Sequence, residues 1–200
     1  GNGAMGAMLF GGTEIERVQF NEISLWSGGR VAVEGLGDED QDLGAYQAFG
    51  DIFIHLGHDF SKVTNYQQEL DISLAAHRVS YEYNGIHYQR TAFASHPDGV
   101  IVLQLTADKP ASYTGHVLLA DMHQARIDAD GNKLSAVGKI GNGFEYEAQL
   151  RVLHKNGTIT AKHDHASDQN PWNIAVPATG LAFDQCDSLT LILGAGTNFI

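Results

Sequence analysis

Val79-Ser80-Tyr81-Glu82-Tyr83-Asn84-Gly85-Ile86-His87-Tyr88-Gln89-Arg90-Thr91-Ala92-Phe93 is the stretch whose reading decides the fold. On either side of Asn84-Gly85 the residues alternate, and alternation puts every second side chain on one face of a sheet. Asn-Gly is the pair best able to adopt the left-handed angles of a two-residue type I′ turn. The stretch therefore reads as a β-hairpin. Working outward, residues 99–106 are almost continuously apolar, which predicts a central strand covered on both faces. Asp108-Lys109-Pro110 stops that strand, and residues 112–119 resume the pattern. Residues 128–132 read as a turn, residues 144–153 alternate cleanly, and residues 155–158 turn into Ile159-Thr160-Ala161. Residues 181–183 and 188–193 complete the set. Helical spacing is not sustained over three turns anywhere, and residues 63–70 read as holding at most a turn or two. Strands recurring about every 8–12 residues without helices between them predict an all-β antiparallel sandwich or barrel.

Composition narrows the function classes. The chain has 200 residues, with 12 Lys and Arg against 24 Asp and Glu, a net charge of −12. A sequence pI near 5.1 lacks the basic footprint that nucleic acid requires. No apolar run approaches the ~18–20 residues of a membrane-spanning helix. One cysteine, Cys186, excludes an internal disulfide. The 23 glycines and 4 prolines suit short strands joined by tight turns. Length fits one domain, over residues 1–200, or two small ones. The chain opens at Gly1 without an initiator Met or a signal peptide, and closes in the strand-like run Leu189 to Ile200. A fragment of a longer protein is the expectation.

Five features bear on chemistry. Gly1, Gly3 and Gly6 match the dinucleotide-binding glycine spacing, but no strand precedes them and Gly11-Gly12 arrives too soon for a helix. The segment reads instead as backbone packed closely against something large, a ligand or another domain. In Asn21-Glu22-Ile23-Ser24-Leu25-Trp26-Ser27-Gly28-Gly29, a polar pair and an aromatic occupy a glycine-rich loop. Trp is a stacking face for sugars, and Asn and Glu suit hydroxyl recognition; a Trp buried at a loop base, with Asn-Glu capping a turn, is the equal alternative. Of ten histidines, His163 and His165 share a strand face, yet zinc needs three or four ligands and no others can be named, so no metal is expected. Cys186 lies between acidic neighbours, which raise a thiol pKa rather than activate it, and no G-x-S-x-G occurs. The acidic run Asp38-Glu39-Asp40-Gln41-Asp42 reads as a solvated loop.

Together these motifs carry a resemblance. The opening Gly1-Asn2-Gly3 to Phe10-Gly11-Gly12, followed by Asn21-Glu22, Leu25-Trp26-Ser27-Gly28-Gly29 and Tyr46-Gln47-Ala48-Phe49-Gly50-Asp51, resembles the start of glycoside hydrolase family 95. Phe93-Ala94-Ser95-His96-Pro97-Asp98, Leu105 to Pro110 and Gly194 to Phe199 continue it in order, across essentially the whole chain. The family contains alpha-L-fucosidases and related alpha-L-galactosidases. The resemblance implies an antiparallel supersandwich of two large sheets, lying ahead of an (alpha/alpha)6 barrel that holds the inverting catalytic machinery. It also implies a periplasmic or secreted location. None of the family's catalytic residues matches a position here, so no catalytic residue and no cofactor is assigned. The short connection Arg30 to Ala45 departs from longer members and leaves substrate preference open.

The resemblance makes the partners a catalytic barrel of the same chain and, through it, a carbohydrate substrate. Asn21, Glu22 and Trp26 are then candidates for the domain interface or the rim of the sugar pocket. The rival reading is a free carbohydrate-binding sandwich. A free module should not expose Met5, Met8, Leu9, Phe10 and Trp26 together. A purely structural sandwich should hold all five in its own core.

Overall fold

The structure is a computed structural model and describes residues 1–28, 44–141, 143–164 and 170–199. Gly29, the connection from Arg30 to Leu43 with its acidic run, and His165 lie outside the described residues.

Two antiparallel sheets form a sandwich. The first has six strands in the spatial order β1 (Met5–Leu9), β2 (Ile15–Glu22), β5 (Gly50–His55), β10 (Tyr113–Asp121), β15 (Gly180–Cys186) and β14 (Thr158–Lys162). The second has eight, in the order β11 (Arg126–Asp130), β12 (Lys133–Lys139), β13 (Glu145–Lys155), β16 (Ser188–Thr197), β9 (Val100–Ala107), β8 (Ile86–Ser95), β7 (Ala76–Tyr83) and β6 (Thr64–Asp71). A short ladder pairs β3 (Trp26–Ser27) with β4 (Ala45–Tyr46).

The hairpin at Asn84-Gly85 forms as read. Tyr83 faces Ile86, and φ is +51° at Asn84 and +70° at Gly85, the two left-handed residues of a type I′ turn. In β13, Tyr146, Ala148, Leu150 and Val152 face the core while their neighbours face solvent. The core between the sheets joins Phe20, Phe49 and Ile54 to Tyr81, Leu105, Leu134 and Leu191. Each such side chain contributes about 1.5–3 kcal/mol by leaving water.

Three local readings are corrected. Residues 64–71 form a strand rather than helical turns, paired from Thr64 opposite Glu82 to Asp71 opposite Ala76. As an edge strand, largely exposed, β6 needs no clean apolar alternation to be held in place. The helical element among the described residues is a single 3₁₀ turn, Phe60–Lys62, capped by the Asp59 carboxylate on Ser61 N at 2.9 Å. Asp128 to Asp130 belong to β11, and the turn is the two-residue Gly131-Asn132. Strand β9 is central but covered on one face: Ile101, Leu103 and Leu105 are buried while Gln104 is exposed.

The six-stranded sheet gains cover on its outer face from residues 170–176. Asn170 folds this strap by accepting from Trp172 N and Ile174 N, both at 3.2 Å. Trp172, Ile174 and Val176 then pack on Phe53, Leu118 and Ala120. Arg17 lies over the rings of Phe10 and Trp172, at 4.7 and 5.2 Å, and donates to Asp51 at 2.7 Å. A buried guanidinium needs such a partner. Strands β2 and β5 are thereby buried on both faces.

Candidate functional site

Strand registers define one end of the sandwich. Strand β7 starts where β8 finishes, with Ala76 opposite Phe93, and β8 finishes where β9 starts, with Ser95 opposite Val100. The last pair between β9 and β16 is Ile101 with Leu193, so β16 runs on to Thr197 at this same end. In the other sheet β2 arrives here, β5 leaves at Gly50, and β10 arrives at Asp121 opposite Gly50. The three candidate residues lie at this end.

Asn21 and Glu22 are the last two residues of β2 rather than loop residues, and Trp26 is in β3. Asn21 Oδ1 accepts from Phe49 N at 2.8 Å, fixing the chain where it enters β5. Glu22 is buried, and its carboxylate accepts from Ser24 N at 3.0 Å and Ser24 Oγ at 2.6 Å. Ser24 Oγ lies 2.6 Å from Thr197 Oγ1. Both polar side chains are thus engaged within the fold. Trp26 differs: it is 44% exposed, its indole N–H donates to Ile23 O at 2.9 Å, and its ring meets Tyr46 at 5.4 Å. Burial, then the Glu22 carboxylate, push the Tyr46 phenol above its ordinary pKa.

The exposed apolar side chains at this end include Ile23, Trp26, Tyr46, Ile72, Leu74, Met122 and Phe199. The five residues that discriminate between the rival readings divide: Met5 is in the core, Leu9 is half-buried, and Met8, Phe10 and Trp26 are exposed. The purely structural reading, with all five inside, does not hold. Residues that sequence reasoning missed here are Tyr46 as the partner of Trp26, and Thr197 as the link between sheets. Neither has a local signal, because Tyr46 lies 20 residues from Trp26 and Thr197 lies 173 residues from Ser24.

Toward the other end a buried polar cluster secures the glycine-rich loop. Arg90 and Glu16 pair at 2.6 Å with both side chains 2% exposed. Glu16 also accepts from Phe10 N and Gly11 N at 3.0 Å, and Arg90 donates to Gly12 O at 2.8 Å. Burial pushes the Glu16 carboxyl upward against the pull of Arg90 and those two amides. Tyr66 donates to Gly11 O at 2.9 Å. The large neighbour expected for Gly11-Gly12 is therefore the domain's own second sheet. His58, beside Tyr81 Oη at 2.9 Å and stacked on Tyr83, is pushed down to about 4 by burial and then by Arg90.

His163 Nδ1 lies 3.0 Å from Thr179 Oγ1. Among the described residues no three His, Cys, Asp or Glu side chains gather as a metal site. Cys186 is buried, which pushes its thiol pKa up, and its S–H faces the carbonyls of Thr158 and Asp184 at 3.7 Å.

The model of the glycosyl hydrolase family 65 N-terminal domain matches residues 1–41 and 30–200. The chain belongs to that family. Among curated proteins, this glycosyl hydrolase N-terminal domain is similar to alpha-L-fucosidase 2 of Arabidopsis thaliana, 30% identical over 140 residues, covering 56% of this chain and 17% of the relative. It is 24% identical over 238 residues to probable alpha-fucosidase A of Aspergillus oryzae, covering 100% of this chain and 31% of the relative. To probable alpha-fucosidase A of Aspergillus niger it is 25% identical over 188 residues, covering 76% and 24% respectively. The chain thus spans less than a third of the length of these relatives. The expected resemblance holds at the level of a glycoside hydrolase N-terminal domain with alpha-fucosidase relatives.

Proposed function

We propose that this chain is the non-catalytic N-terminal sandwich of an alpha-L-fucosidase-like hydrolase of the family 95 kind. It packs on a downstream (alpha/alpha)6 barrel that removes terminal alpha-L-fucosyl, or related alpha-L-galactosyl, groups with inversion. The observation that carries the reading is the apolar end built around Ile23, Trp26 and Tyr46, exposed by 59, 44 and 46%. Large apolar side chains gathered at one end of a fold mark an interaction surface. The alpha-fucosidase relatives, more than three times longer than this chain, support a catalytic portion as its neighbour.

Asn21 and Glu22 act in this reading by bracing the joint from within. Their polar atoms hold Phe49 N and Ser24, and so set the platform on which Trp26 and Tyr46 stand. The test is the full-length protein on an aryl alpha-L-fucoside and an aryl alpha-L-galactoside, with the anomer released followed by NMR. Hydrolysis with inversion, kept when carboxylates within residues 1–199 are replaced one at a time, is the expected result. No hydrolysis, retention, or activity abolished by one of those carboxylates while the protein stays folded, contradicts it.

The second reading is a free carbohydrate-binding module. The exposed Trp26–Tyr46 pair favours it, since aromatic faces stack on sugars. It predicts that fucosylated oligosaccharide quenches Trp26 fluorescence, which a buried joint does not allow.

A further inference from the structure

Among the described residues, the hairpin joining β6 to β7 carries the most exposed large apolar side chain, Ile72. Leu70, Ile72 and Leu74 are 66, 87 and 64% exposed. The loop that carries them is nevertheless held in one shape. Asp71 Oδ1 accepts from Ser73 N at 3.0 Å, Ser73 Oγ at 2.6 Å and Leu74 N at 3.0 Å. Arg78 reaches Glu69 at 3.0 Å and Asp71 at 3.5 Å, clamping the base of the hairpin. Ordered aliphatic side chains standing in water are unfavourable, so a preorganised tip of this kind fits a pocket on a partner.

The strand registers place that tip in the fold. The tip precedes Ala76, which faces Phe93 near the end of β8, and that end is shared with Thr197 of β16. Three strand spacings separate β7 from β16, about 14 Å at the usual spacing between strands. The tip therefore stands at the same end as Ile23, Trp26 and Tyr46, where β16 finishes.

We infer that the tip formed by Leu70, Ile72 and Leu74 is an anchor that inserts into the catalytic portion following this domain in the same polypeptide, as a second contact beside the Trp26 platform. The inference rests on the reading above that such a portion follows. Two contacts separated along one end of a sandwich would fix the domain against rocking as well as against dissociation.

The test is carbene footprinting of the full-length wild-type protein, read by mass spectrometry at individual side chains and repeated on dilution. Phe60, 65% exposed and in the 3₁₀ turn toward the opposite end, is the labelling control. Leu70, Ile72 and Leu74 labelled several-fold less than Phe60, at every concentration and together with Trp26 and Tyr46, is the expected result. Protection of Trp26 and Tyr46 with a fully labelled tip overturns the anchor and leaves the docked-domain reading standing. Tip protection that disappears on dilution assigns the tip to a second copy of the protein and overturns the inference. Full labelling of tip and platform alike overturns both.

Discussion

Ser24 Oγ and Thr197 Oγ1 lie 2.6 Å apart and tie the end of β2, in one sheet, to the end of β16, in the other. The same Ser24 hydroxyl meets the buried Glu22 carboxylate at 2.6 Å, so one small side chain joins both sheets and satisfies a charge. Ser24→Ala removes both contacts. The expected loss is about 1–3 kcal/mol, because a buried carboxylate is left short of a donor. Chemical denaturation measures it, and Ser24→Thr should recover most of the loss.

A second prediction concerns the Arg90–Glu16 pair. Removing one member leaves the other charge buried, which costs about 3–5 kcal/mol. Arg90→Met and Glu16→Leu should each reach that range. The double variant should lose less than the sum, since neither charge is then stranded. Additive losses in denaturant titrations would show that the two side chains stabilise the fold independently.

How much of this was legible in the sequence differs by element. The hairpin at Asn84-Gly85 and the alternation of β13 are local patterns, and both formed as read. Strands β1, β2 and β5 were not named, although Ile52-Phe53-Ile54 between Gly50 and Gly57 is a short apolar run of the buried kind. The double cover of β2 and β5 depends on Trp172 arriving from residues 170–176, and nothing near Phe53 announces that. At the site, Asn21, Glu22 and Trp26 stood out by residue type. Their orientation did not, because it is set by Phe49, 28 residues from Asn21, and by Thr197, 173 residues from Ser24. Edge strand β6 was misread because a solvated edge carries little apolar pattern.

Stability should fall in mild acid through His58. Its pKa is held down to about 4 in the fold, against an ordinary value of 6.5. Between those values the unfolded chain binds the proton and the folded one does not, so acid favours unfolding. The His58 contribution is complete above about pH 6.5, declines as pH falls, and levels off near pH 4. His77, also held down by burial, acts in the same sense, while Glu16, pushed up by burial, acts in the opposite one. Melts of the wild type and His58→Gln across this range isolate the term: the difference between them should shrink as the pH falls.

Two glycines should respond oppositely to alanine. Gly11 has φ of +78°, and a Cβ there would meet Tyr66 Oη at 2.5 Å and Gln68 at 2.9 Å. Gly11→Ala should cost about 2–3 kcal/mol through left-handed strain and displacement of the Tyr66 hydrogen bond. Gly6, in strand β1, faces open space, so Gly6→Ala should be neutral or slightly stabilising. Equal effects in thermal melts would contradict this placement of the glycine-rich segment.

The central claim, that the Trp26 end is a joint with a downstream catalytic portion, is tested most directly by Trp26→Asp combined with Tyr46→Ser. The variant is compared with wild type by thermal unfolding, once in the full-length protein and once in residues 1–200. Both side chains are close to half exposed in this chain, so losing their ring contact and the Trp26–Ile23 hydrogen bond should cost residues 1–200 only about 1–2 kcal/mol. The full-length protein should lose about 2–4 kcal/mol more than that, the range of a buried aromatic anchor at an interface. Equal changes in the two proteins, or no change in either, would contradict the account.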